Sequence, residues 1–87
     1  MSNTRMISAE IDKCESLAQT IEDIETIMDD LDRYDKSLIC VRGNKSVMIT
    51  ADQSQMFIDV FASLKKHIDK QLEAQKLRVK KMVDIYV

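Results

Sequence analysis

Leu38-Ile39-Cys40-Val41-Arg42-Gly43-Asn44-Lys45-Ser46-Val47-Met48-Ile49 decides the fold of this chain. It carries the only glycine among 87 residues that include no proline. Glycine takes positive φ without a Cβ clash, so Gly43-Asn44 between two β-branched runs predicts a tight type I′ or II′ hairpin turn. Such a turn pairs Arg42 with Lys45, Cys40 with Val47 and Leu38 with Ile49, and leaves Ile39, Val41, Ser46 and Met48 on the other face. Both faces are mainly apolar, whereas a hairpin with one wet side alternates. The chain's own helices are expected to cover one face, and a second copy or another partner to cover the other or extend the sheet edge.

Upstream of the hairpin, Ile7, Ile11, Cys14, Leu17, Ile21, Ile24, Met28, Leu31 and Tyr34 recur every three or four residues, which is one stripe of a helix. Ser8 is the candidate N-cap, with Glu10 and Asp12 at the positive end of the helix dipole. The helix is expected to end near Asp35 to Lys36. Leu17 to Leu31 follows a heptad seam, and the phase break at Cys14 favours a short coiled-coil-like contact over a long regular one.

Downstream, Thr50-Ala51-Asp52-Gln53 fits a capping box that opens a second helix. Its stripe is Phe57, Val60, Phe61, Leu64, Ile68, Leu72, Val79, Met82 and Tyr86, interrupted at Gln75 where an apolar residue is due. Val83, Ile85 and Val87 alternate like a strand, but length and continuity favour helix to the end. The expected organisation is one mainly α domain with a flexible segment at 1–6, a helix at 7–36, a β-hairpin at 37–49 and a helix at 50–87. Two long antiparallel helices, each about 40–50 Å at 1.5 Å per residue, then form a coiled-coil-like bundle with a small β head.

Composition limits the function. A chain of 10.0 kDa has little interior from which to build a cleft. Its 45% hydrophobic and 32% charged residues are those of a folded helical protein, and with only 5% aromatics the core must be Ile, Leu, Val and Met. No apolar run approaches the ~20 residues of a membrane span, and no secretory h-region is visible, so a cytoplasmic protein without membrane contact is expected. Cys14 and Cys40 are read as small hydrophobes rather than a disulfide. His67 is the only histidine, which excludes a histidine-based triad within one chain, and it is expected at the border of the packed seam. One glycine rules out a phosphate loop and a dinucleotide fingerprint. Asp29, Asp32 and Asp35 on one straight helix present too few convergent oxygens for a cation, so no metal, no cofactor and no enzymatic activity are expected.

Charge is divided along the chain. Residues 1–36 hold ten acidic and four basic side chains, and residues 37–87 hold five and nine. Folding back at Gly43 sets the acidic helix against the basic one, which accounts for part of the segregation. Glu25, Asp29, Asp30, Asp32 and Asp35 lie beside a stretch poor in positive charge and are the candidate contact for a basic protein target. Interleaved acids at Asp69 and Glu73 and a pI near 5.3 argue against nucleic-acid binding.

Three functions follow as expectations. The first is a non-enzymatic homo-oligomeric interaction module, dimer or tetramer, with its interface at Ile39, Val41, Met48, Met82, Ile85 and Tyr86. Small, proline-free, acidic helical chains of this kind resemble accessory proteins of phages and mobile elements, which implies a protein that binds or occludes a host protein. The second is an oligomeric binder of a small anionic, nucleotide-like ligand through Arg42, Lys45, Lys65, Lys66 and Lys70. The third comes from the order helix, hairpin, helix, which resembles the layout of a β-type prefoldin subunit without sharing a specific motif; that resemblance implies a holdase chaperone presenting its tips to unfolded clients.

Overall fold

The computed structural model describes the backbone of residues 2–34, 36–41, 43 and 45–86, and the side-chain surroundings of residues 5–34, 40, 43 and 45–85. Two helices are joined by a two-stranded segment in the order α1 (Ser2–Arg33), β1 (Lys36–Val41), β2 (Lys45–Thr50), α2 (Ala51–Tyr86). α1 starts at Ser2 rather than Ile7, because nothing in residues 2–6 breaks a helix once it has nucleated downstream. Ser8 is thus an exposed interior residue and not a cap, and Glu10 and Asp12 lie beyond the first turn. The helix stops at Arg33, earlier than expected; its last recorded backbone bond is the Tyr34 N–H donating to the Asp30 carbonyl at 3.1 Å, and β1 claims Lys36.

The strands pair antiparallel with Val41 opposite Lys45, Cys40 opposite Ser46, Ile39 opposite Val47, Leu38 opposite Met48 and Ser37 opposite Ile49. The connection is therefore 42–44, one residue longer than the expected turn, and every predicted cross-strand pair is displaced by one. Gly43 stands in the middle with φ of 90°, a left-handed value suited to glycine. Arg42 and Asn44 lie outside the described residues. Val47 and Ile49 share one face of β2, and Met48 lies on the other.

Half of the predicted capping box forms. The Thr50 N–H donates to Gln53 Oε1 at 3.3 Å, while the Thr50 hydroxyl donates to Asp52 instead of accepting from the helix backbone. The Ser54 hydroxyl donates back to the Thr50 carbonyl at 3.1 Å, fixing the strand-to-helix corner. α2 then runs unbroken to Tyr86, which settles the helix-or-strand alternative at the carboxy end as far as that residue.

Ion pairs between Glu10 and Arg78 and between Glu25 and Lys65 show that the helices are antiparallel. Among the described residues the buried apolar side chains are only Ile24, Leu31, Ile49 and Ile68. Of the predicted stripes, Ile11, Tyr34, Val60 and Leu64 are exposed, because two helices can bury only the line along which they meet. The molecule measures 53 × 26 × 15 Å. Its radius of gyration is 17.4 Å, against about 12 Å for a compact chain of this length, so it is a rod. Among the described residues no helix is long and apolar enough to cross a membrane.

Candidate interaction surface

The apolar side chains left outside the helix seam are grouped. On α2, Met56 (68% exposed), Val60 and Ile85 (74%) lie roughly a third of a turn round from the buried line of Ile68, with exposed Leu64 nearer that line and exposed Leu77 on the far side. Beside them the two helices form an open cleft of about 660 Å³, lined by Lys13, Ser16 and Leu17 of α1 and by Gln71, Ala74, Gln75 and Arg78 of α2. A second cleft of about 520 Å³ also uses Ala74 and Arg78 and continues past Met6 and Leu77 to Met82 and Ile85. The two form one groove along the carboxy half of α2. At the other end of the rod, Val47 and Met48 are exposed on the hairpin.

A polar knot closes the floor of the groove. Glu10 is 8% exposed although charged. Its carboxylate accepts from Gln75 Nε2 and from Lys13 Nζ (3.0 Å) and pairs with Arg78 Nε at 3.3 Å, and Gln75 Nε2 also donates to the Glu10 main-chain carbonyl at 3.0 Å. These donors, Gln75 first and Lys13 next, hold the Glu10 carboxyl below the usual glutamate value against the opposing effect of burial. Among the described residues no buried side-chain polar atom lacks a partner. Lys13 and Arg78 each pair with Glu10 while their side chains remain largely exposed at the cleft.

The predicted acidic contact set is only partly unpaired. Glu25 Oε1 meets Lys65 Nζ at 3.0 Å across the helices, and Asp29 meets Arg33 at 3.1 Å one turn on, so the expectation that they lack partners in the chain is corrected. The antiparallel fold brings Lys65 beside Glu25, and that contact raises the lysine's pKa. Asp30 and Asp32 are exposed, and none of the described ion pairs includes them. Asp32 borders a notch of about 190 Å³ with Leu31, exposed Tyr34, Ser54 and Ile58. Asp35 lies outside the described residues.

The predicted anion set does not converge within one chain. Lys45 is on β2, and some 20 Å of helix separates the start of α2 from Lys65, Lys66 and Lys70. Lys66 and Lys70 are exposed, Lys65 is occupied by Glu25, and Arg42 is outside the described residues. Of the predicted oligomer contacts, Met48 and Ile85 are exposed and Met82 half-buried, while the side chains of Ile39, Val41 and Tyr86 are outside the described set. His67 is exposed, and so is Cys40; Cys14 is half-buried, and both thiols are free. Among the described residues no His, Cys, Asp or Glu cluster is arranged to hold a metal ion.

Sequence reasoning missed Glu10 as a seam residue. The signal available was the interrupted stripe at Gln75, since a polar residue on a buried line needs a polar neighbour. No protein-family model, curated protein or solved structure matches this chain.

Proposed function

We propose that this chain is a non-enzymatic, self-associating interaction module whose helices pack with those of further copies in a coiled-coil-like bundle. One observation carries the reading: five large apolar side chains of α2 face water, while among the described residues only four apolar side chains of the whole chain are buried. Exposed apolar surface grouped in this way is characteristic of association sites. Association stabilises the folded chain by mass action, so the thermal midpoint should rise when protein concentration is raised a hundredfold. A midpoint independent of concentration would refute self-association.

The face offered to a target is the neck of the rod, where exposed Asp32 and Tyr34 line a notch and Asp30 is exposed on the last turn of α1. A carboxylate beside an aromatic ring, as Asp32 and Tyr34 are at the notch, suits a basic protein segment, because a guanidinium can pair with the acid and stack on the ring, with Asp30 adding negative charge nearby. Binding such a segment would occlude the surface that carries it. An arginine-rich peptide should bind wild-type protein and bind the Asp30→Asn, Asp32→Asn, Tyr34→Ala variant at least several-fold more weakly; equal binding would remove this face from the proposal.

A further inference from the structure

We propose that the exposed side of α2 is a self-complementary seam, on which α2 of a second copy lies antiparallel about a two-fold axis passing between Lys70 and Gln71. The inference rests on the self-association reading and names its surface. Its first support is position. Met56 and Val60 on one half of the helix and Lys81 and Ile85 on the other lie within about 60° of one direction, with Leu64 and Leu77 on opposite edges of that face. All six are exposed. Reversal about the midpoint sets Met56 against Ile85, Val60 against the aliphatic stem of Lys81, and exposed His67 against exposed Ala74, a large side chain against a small one. A two-fold interface requires this pattern, in which position i meets j and j meets i.

Charge selects the direction. In the antiparallel arrangement Asp59 comes to Lys80 and Lys81 of the copy, and Glu73, whose contact with Lys76 in its own chain is a loose 3.7 Å, comes to Lys66 and Lys70. A parallel pair would set Lys66, Lys70, Lys80 and Lys81 against themselves. Area supplies the third support. The accessible surface is 6939 Å², about 1,700 Å² more than a compact monomer of 10.0 kDa exposes, and a standard interface buries about 800 Å² per partner. The groove beside α2 gives the copy a bed, since Ser16 and Ala74 leave room for close approach.

Cross-linking reads the seam directly. In a Cys14→Ala, Cys40→Ala background, Gln71→Cys sits next to its own copy and should oxidise to a disulfide-linked dimer. Met56→Cys and Ile85→Cys should link when the two proteins are mixed and not when each is alone. Light scattering on the same samples separates the two claims. A dimeric mass with Gln71→Cys unlinked, with Met56→Cys linked to itself, or with linkage only through a retained Cys40 on the hairpin overturns the seam and leaves self-association standing. A monomeric mass at every concentration overturns both.

Discussion

At the residue scale the groove depends on Glu10, a carboxylate held between Lys13, Gln75 and Arg78. Its lowered pKa has a definite sign: the stabilisation is fully present above the ordinary glutamate value, about 4.3, and is lost as pH falls through the lowered folded value. Urea unfolding of wild-type protein should therefore lose stability between about pH 5 and pH 2, and Glu10→Gln should flatten that acid limb. An unchanged limb would show that Glu10 is not coupled to folding. Replacing both Glu10 and Gln75 by leucine should stabilise the seam or leave it neutral, since well-packed apolar residues often match a buried polar network, while Gln75→Leu alone should destabilise. The Gln75 half of this pair was legible as a gap in the apolar stripe. Glu10 was not, because a helix expected to begin at Ile7 makes Glu10 a first-turn acid, and a contact across 65 positions leaves no local trace.

At the element scale, the hairpin's existence was readable from one glycine between two β-branched runs, but its register was not. Turns of two and three residues both accommodate Gly43, and the choice between them rests on which faces pack best, which is a tertiary matter. The structure buries Ile49 completely and leaves its neighbour Met48, on the other face of β2, 57% exposed. Ile49→Ala should then cost about 2–4 kcal/mol and Met48→Ala less than about 0.5 kcal/mol in chemical denaturation of the dilute protein. Similar costs at the two positions would contradict burial of the Ile49 face of β2. Gly43→Ala meets no atom within 4 Å, so its expected cost of about 1–2 kcal/mol comes from the positive φ alone. The early start of α1 has the opposite lesson: capping residues mark where a helix can begin, and Ser8 did not oblige it to begin there.

For the whole molecule, charge division and surface area point the same way. Antiparallel folding pairs some of the acidic helix with the basic one, as between Glu25 and Lys65, but it leaves Asp30, Asp32, Lys66 and Lys70 at the surface. The Lys65 contribution, with its raised pKa, is fully present below the ordinary lysine value near 10.4 and is lost as pH rises through the folded value. The rod shape was legible, since two stripes of this length joined by a tight turn permit little else. Which apolar residues stay outside was not, because a single stripe of either helix does not say how many neighbours share it. The measurement that decides is the mass of the wild-type chain by light scattering during size-exclusion chromatography, at two protein and two salt concentrations. A mass of two or four chains that persists on dilution is expected, and a mass of one chain throughout would contradict self-association through the exposed side of α2.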